Sequence, residues 1–310
     1  MASFKYAITG STGWLGKELI FSLLDRGCIQ SLDEILLYSS TERLVDFGKF
    51  GKKESFAFLG SDFSEISEVE YFVHLSFLTR NLVQKYGLNR YIQINQNLTN
   101  QAVNFIERTQ PLFVSSVSSG AVYSQNSHEL ENDIQRNPYG FLKVREEELL
   151  REICTIHSSN LSIGRLWGAT GRYMPVNVAY AISDLIVQAL TKKSIQIHSP
   201  RQVFRRYCDS SEFLRVLLEC STVNEFNLFD SGGPLIEIKE LATRIMRELD
   251  IGGNIEQNLD VSLGVDDYYA RSDSFEVLAN GFGVSISGIS DQIKRTIAGH
   301  KIQLCASGTQ

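Results

Sequence analysis

The sequence predicts an α/β fold built on a doubly wound parallel sheet, followed by a smaller C-terminal α/β region. Three observations carry this. Short apolar, β-prone runs alternate with helix-period segments over the first two-thirds of the chain, a glycine-rich turn follows the first run directly, and the rhythm changes after Arg165. The first run, residues 4–9, ends at Gly10, and a helix follows with Leu15, Leu19, Ile20, Leu23 and Leu24 on one stripe, closed by Gly27. Strand-like runs recur at residues 34–38, 55–59, 71–75, 112–117 and 161–166, with helical patterns at 94–108 and 139–157. Parallel strands need such crossovers, so the sheet should be covered on both faces. Beyond it, residues 178–190, 212–220, 238–249 and 287–297 read as helices, and 195–198, 206–209 and 225–229 as extended. Gly232-Gly233-Pro234 marks a turn, and the tail from Ala306 should fray. The division expected is 1–166 and 167–310, with about 204–230 returning to the first part.

Composition narrows the function classes. Hydrophobic residues make up 43% and charged residues 21% of 310, enough for a sizeable core. No apolar run is long enough for a bilayer and no signal-like segment opens the chain, so no membrane association is expected. A net charge of −6 argues against nucleic-acid binding, which needs a basic surface. Cys28, Cys154, Cys208, Cys220 and Cys305 are scattered and odd in number, which predicts reduced thiols and a cytoplasmic setting. His74, His128, His157, His198 and His300 lack metal-ligand spacing, and no metal is expected.

The stretch Thr9-Gly10-Ser11-Thr12-Gly13-Trp14-Leu15-Gly16 joins the first strand to the first helix, the context a Rossmann-type dinucleotide loop requires. Gly10 suits the tight turn, Gly13 the approach of backbone to a pyrophosphate, and Gly16 the packing of helix on strand. The helix start offers N–H groups and a positive dipole end to phosphate. An NAD enzyme places Asp or Glu about 20 residues on, but here the second strand runs into Ser39, Ser40, Thr41, Glu42 and Arg43. Two hydroxyls and Arg43 suit a 2′-phosphate, so NADP is expected, with NAD the alternative if Arg43 is a solvated helix residue beside Glu42. Asp62 suits either the adenine amino group or a helix cap.

Downstream, Tyr139 and Lys143 stand four apart and share one face of a helix. A cation so placed is expected to lower the phenol pKa and make Tyr139 a general acid or base. Ser118 and Ser119 close a strand at the carboxyl edge, where such sheets bind ligands.

With these motifs the chain resembles the extended short-chain dehydrogenase/reductases, in their nucleotide-sugar epimerase, dehydratase and 4-ketoreductase group. The resemblance spans residues 5–296. It rests on the TGxxGxxG loop, Ser118-Ser119 with Val122-Tyr123, Pro138-Tyr139 with Lys143, and weaker stretches at Arg165-Leu166-Trp167-Gly168, Arg205-Arg206-Tyr207 and Phe226-Asn227-Leu228-Phe229. It implies Tyr139 as proton donor and acceptor, Lys143 on the nicotinamide ribose, and Ser119 on the substrate oxygen. The cofactor-contacting set it implies adds Thr12, Trp14, Leu15, Leu75, Ser76 and Asn95 to the residues above. On the substrate side, Asn177, Arg205 and Arg206 are implied, with an arginine gripping the nucleotide diphosphate. The resemblance implies a homodimer through helices 94–108 and 139–157, and Leu142, Leu149, Ile153 and Ile156 run along one side of the second, a spacing that serves an interface or the core. Gly120 and Ala121 stand where the group's dehydratases carry a carboxylate, so elimination is not expected. The function expected is reduction of a 4-keto nucleotide sugar. A 4-epimerase with retained cofactor and a non-catalytic NADP-binding sensor or scaffold are the alternatives.

Overall fold

Apolar runs that must be covered on two sides become strands in the computed structural model, which describes residues 2–124, 129–176 and 180–306. In chain order these give β1 (Ala2–Thr9), α1 (Trp14–Asp25), β2 (Ile35–Ser39), β3 (Arg43–Asp46), β4 (Lys52–Ala57), β5 (Ile66–His74), the one-turn α2 (Val83–Tyr86), α3 (Leu88–Thr109), β6 (Phe113–Ser119), α4 (Pro138–His157) and β7 (Asn160–Leu166). Next come β8 (Ala169–Thr170), α5 (Ala181–Lys192), β9 (Ile195–Ile197), β10 (Gln202–Arg206), β11 (Cys208–Asp209), α6 (Ser210–Val223) and β12 (Phe226–Asp230). The chain closes with β13 (Leu235–Glu237), α7 (Ile238–Glu248), β14 (Ile255–Gln257), β15 (Val265–Asp267), α8 (Ser274–Gly281) and α9 (Ile289–Ala306). Asn177, the start of the helix expected from 178, and residues 307–310 of the tail lie outside the described residues.

Two compact units result, Met1–Leu166 with Leu214–Phe229, and Trp167–Phe213 with Asp230–Gln310. Residues 204–213 therefore lie with the second unit, where β10 pairs with β13 and β15.

In the first unit, eight strands run in the order β12-β7-β6-β5-β1-β2-β4-β3. From β4 through β7 every pairing is parallel. The chain leaves β1 towards β2 and β4 on one side, then returns to β5, β6 and β7 on the other. The switch in strand order between β1 and β5 leaves a crevice at the carboxyl ends of these strands. α3 buries Tyr91, Asn95, Leu98, Ala102, Phe105 and Ile106, a spacing that keeps one face on the sheet. Phe105 stacks on Phe72 at 4.3 Å between centroids and meets Phe63 edge-on at 4.9 Å, all three fully covered.

Two crossovers depart from the helical pattern: residues 58–65, between β4 and β5, form no helix, and the connection from β2 to β4 forms a strand. Between β2 and β4 the chain forms β3, antiparallel to β4 at the sheet edge. Asp46 accepts from Gly48 N–H at 2.7 Å, and Gly48 and Gly51, at φ +63° and +97°, take the backbone shapes the hairpin needs. Arg43 thus opens a strand and is not a solvated helix residue.

The second unit carries the small sheet β13-β10-β15 and the strand pairs β8–β11 and β9–β14. Its helix α9 buries polar residues, each partnered. Gln292 accepts from Thr170 Oγ1 at 2.8 Å and donates to the Tyr207 carbonyl at 3.1 Å, while His300 Nε2 meets Ser183 Oγ at 2.8 Å.

Between α4 and the sheet lies a buried ion pair. Arg165 Nη2 donates to Glu147 Oε2 at 2.6 Å and its Nε to Oε1 at 3.0 Å, while Nη1 reaches the Tyr123 hydroxyl at 2.6 Å. Burial opposes the Arg165 charge, but the Glu147 carboxylate outweighs it and holds the guanidinium firmly protonated. Removing one partner strands the other in the interior. Arg165→Met is expected to cost about 3–5 kcal/mol in chemical denaturation, and the double variant Arg165→Met/Glu147→Leu to recover part of it. A loss below about 1 kcal/mol, typical of an exposed pair, contradicts this reading.

Candidate active site

Gly10 leaves β1 at φ +67°, and a Cβ there would stand 2.8 Å from the Leu75 carbonyl oxygen. A Cβ on Gly16 would strike the Gly10 carbonyl and the Ser11 backbone, so only glycine lets α1 lie this close to the turn. α1 opens at Gly13 with no side-chain cap and no acidic residue in its first turn. Thr12, Trp14 and Leu15 are half-buried around this opening and Gly13 is exposed. An unblocked positive helix end beside close-packed glycines fits a dinucleotide pyrophosphate.

The opposite wall of the turn is set by Thr9, a residue the sequence reading did not single out. Its hydroxyl accepts from Leu75 N–H at 3.0 Å and Ser76 N–H at 3.1 Å, and meets His74 Nδ1 at 2.9 Å. The hydroxyl proton therefore goes to Nδ1, and the ring keeps its own proton on Nε2. Burial, and behind it the Lys143 charge, hold His74 down at about 3, so the ring stays neutral. Asn95 fixes the next stretch, accepting from Leu78 N–H at 2.7 Å.

Ser119 ends β6 and accepts from Ala121 N–H at 3.2 Å. α4 begins directly opposite. Asn137 caps it by accepting from Gly140 N–H at 3.0 Å, Pro138 takes the first helical position, and the Asn137 amide donates to the Ala121 carbonyl at 2.9 Å. A Cβ on Gly140 would collide with that carbonyl. Asn137 and Gly140 thus bring the first turn of α4, and Tyr139 with it, up to Ser119, whose hydroxyl acts on the phenol's acidity. The edge of Tyr139 meets the Phe77 ring at 5.8 Å.

The expected lowering of the Tyr139 pKa is not what the structure gives. Tyr139 keeps part of its surface, but its hydroxyl is desolvated, and burial pushes the phenol up to about 12. The Ser119 hydrogen bond works downward and the Glu146 charge upward. Lys143 does not compensate, because its Nζ donates to the Val117 carbonyl at 2.9 Å and to Glu146 Oε1 at 2.9 Å, and lies 3.9 Å from the Phe77 ring centre. Helical spacing foretold that Tyr139 and Lys143 share a face, but not that a buried carboxylate stands one turn on.

At the far end of the crevice Ser39 is buried, with its hydroxyl donated to the Thr41 carbonyl at 2.7 Å, while Ser40 and Arg43 are exposed. Arg43 Nη2 donates to Thr41 Oγ1 at 2.6 Å. Asp62 is exposed and accepts from Ser64 N–H and Oγ, closing a turn ahead of β5 and not a helix. In the second unit, Arg205 is held at both terminal nitrogens by Asp266, at 2.9 Å each. Arg206 donates to the carbonyls of Gly233, Ala270 and Ser272 and to Glu276, which commits it to bracing its own unit. No cluster of three metal-ligating side chains occurs among the described residues.

A doubly wound sheet with a glycine turn at its switch point defines a dinucleotide-binding α/β protein. The model of the NAD dependent epimerase/dehydratase family matches residues 6–225, and the chain belongs to that family. No curated protein matches it by sequence. Among solved structures it is similar to a double mutant of dTDP-glucose 4,6-dehydratase from Streptomyces venezuelae with NAD bound, at 15% identity over 99% of this chain and 100% of that one, TM-score 0.74. It is similar to UDP-N-acetylglucosamine 4-epimerase from Methanobrevibacter ruminantium M1 at 18% identity, 98% and 100% coverage and TM-score 0.72. A UDP-glucuronic acid 4-epimerase from Bacillus cereus in complex with NAD follows at 15%, 96% of each chain and TM-score 0.70. The backbone of Gly13, at φ −74° and ψ 173°, suits any residue, and a Cβ there would stand 3.1 Å from the Gly10 carbonyl oxygen, so Gly13→Val narrows the cradle from within. It is expected to weaken NAD(P)H binding at least about tenfold by fluorescence titration with little change in Tm. Unaltered affinity contradicts the cradle.

Proposed function

We propose that the chain is an NADP(H)-linked ketoreductase acting on the 4-keto carbon of a nucleotide sugar. The observation that carries this is a desolvated phenol, Tyr139, that keeps its proton and is brought by the Asn137 cap and Gly140 to the side of Ser119 at the carboxyl end of β6. When bound, the nicotinamide supplies the hydride. Gly10, Gly13, Gly16 and the start of α1 would hold its pyrophosphate, with Thr12, Trp14, Leu15, Leu75, Ser76 and Asn95 along its length. Lys143 would take the nicotinamide ribose. As the keto carbon becomes a carbinol, charge grows on its oxygen, and Ser119 hydrogen-bonds that oxygen while Tyr139 gives it a proton. The phenolate left behind regains its proton from solvent.

The end of β2 supports NADP over NAD. It carries no carboxylate for ribose hydroxyls, while exposed Ser40 and Arg43 suit a 2′-phosphate that comes and goes. The absence of a carboxylate at Gly120 and Ala121 speaks against dehydration, which needs a second proton-transfer group. Arg205 and Arg206 each make four hydrogen bonds within their own unit, and the diphosphate grip is proposed for Arg205, whose Asp266 partner is partly exposed. A homodimer through α3 and α4 is proposed around a groove lined by Gln96, Asn100, Phe141, Leu142 and Leu149; Ile156, seven residues after Leu149 and 65% exposed, lies along the same side, while Ile153 packs on the core. A one-chain mass by light scattering at micromolar concentration contradicts that interface.

The test is NADPH oxidation with a 4-keto nucleotide sugar. One NADPH per sugar is expected, with Tyr139→Phe slowing turnover about 10²- to 10⁴-fold at nearly unchanged cofactor affinity. Arg43→Ala should weaken NADPH more than NADH. Purified protein that retains oxidised cofactor and interconverts sugars with no net NADPH use would make it a 4-epimerase instead.

A further inference from the structure

Glu146 is the one side chain around Tyr139 that the proposed reaction leaves unexplained. It is 1% exposed and sits three residues after Lys143, on the same face of α4. Its Oε1 accepts from Lys143 Nζ at 2.9 Å and from Ser116 Oγ at 3.0 Å, while Oε2 is buried with no partner among the described residues. A buried carboxylate with one oxygen unsatisfied is destabilising, and an uncharged side chain of similar size would avoid that cost. The neighbouring Glu147 has a structural use, the Arg165 pair, which Glu146 does not share. The charge at 146 acts on Lys143.

Lys143 has three protons and its ammonium meets three groups of the protein, of which the Phe77 face is the one a nicotinamide ribose would displace. The Val117 carbonyl takes one, Glu146 another, and the face of Phe77 the third. Among the described residues, the other groups facing Tyr139 carry no charge that would replace the ammonium: Ser119 comes from β6, Tyr91 from α3, and Phe77 from the segment after β5. His74 on β5, which feels the Lys143 charge, is neutral.

We propose that Glu146 is a positioning residue of the active site: by holding the Lys143 ammonium in a buried ion pair it withholds that charge from Tyr139 and leaves the phenol carrying its proton, so the site is set to give a proton and not to take one. This rests on the assignment of Tyr139 as the proton-transfer group and deepens it, since a phenol kept protonated serves reduction directly. Oxidation, in either an epimerase or a dehydrogenase, must first find a base.

The test needs neither cofactor nor substrate. Protein containing [13Cζ]tyrosine is titrated by NMR, and the Tyr139 signal among 12 tyrosines is assigned by its loss in Tyr139→Phe. In the parent, Tyr139 is expected to remain a phenol past about pH 10, where an ordinary tyrosine is half ionised. Glu146→Gln keeps the shape and still accepts from Ser116, but frees the ammonium, and should make Tyr139 at least about tenfold more acidic. Removing both charges, in Glu146→Gln/Lys143→Met, should restore the parent's behaviour. A parent Tyr139 that ionises at or below about pH 10 overturns the proposal, as does an unmoved midpoint in Glu146→Gln. The parent measurement decides by itself if Glu146→Gln does not fold. Once a reducible sugar is identified, the reductive kcat of Glu146→Gln should decline at lower pH than that of the parent. Failure to find any such sugar would leave the NMR result standing, so the two readings fail separately.

Discussion

The face of β6 that meets α4 is polar, and covering it is the constraint on which this site depends. Ser116 and Ser118 alternate along the strand towards the helix, and each donates to one of two successive carboxylates, Glu146 and Glu147. Each carboxylate then needs its own cation, Lys143 from the helix itself and Arg165 from β7. Leucine or valine at these positions would pack with less risk, because a buried ion pair roughly cancels its own desolvation. What the charges add is definition. α4 has one register on the sheet in which all four groups are partnered, and that register sets the first turn of α4 beside Ser119.

From this seam the chemistry follows. Asn137 and Gly140 fix how closely α4 starts to the turn after Ser119, which places the phenol, while the carboxylate one turn later decides where the lysine charge goes. Position and protonation of Tyr139 are thus set by different residues. The glycine cradle on β1 is independent of both. It is shaped by Thr9 and neutral His74, which clamp the Leu75–Ser76 backbone against the turn.

Much of this was legible in the sequence, for reasons that also mark the limits. Strand β2 and the buried halves of β1 and β5 write themselves as apolar runs, β6 and β7 show shorter ones broken by serine, glycine and arginine, and the glycines of the β1–α1 turn are dictated by space. β3 was not legible, because Arg43-Leu44-Val45-Asp46 buries only Val45 and carries too little apolar signal. The Tyr139–Lys143 spacing correctly put both on one face, yet misjudged the phenol, since spacing reports neighbours and says nothing of desolvation. A lysine and a glutamate three apart on a helix are ordinarily a solvated surface pair. Only the burial of Lys143 and Glu146 shows that this one is not. The carboxylates that hold the two arginines before Tyr207 lie 61 and 70 residues further along the chain, beyond any local pattern.

The account stands or falls on whether hydride leaves the cofactor for good. The direct measurement is transfer from NADPH carrying deuterium at the reactive C4 position to a 4-keto nucleotide sugar, followed by mass spectrometry and NMR of the product. One deuterium on the new carbinol carbon, with one equivalent of NADP⁺ released, is the predicted result. A 4-keto sugar left unreduced, together with a 4-hydroxy nucleotide sugar converted to its C4 epimer with no deuterium taken up and the labelled cofactor intact, would contradict it.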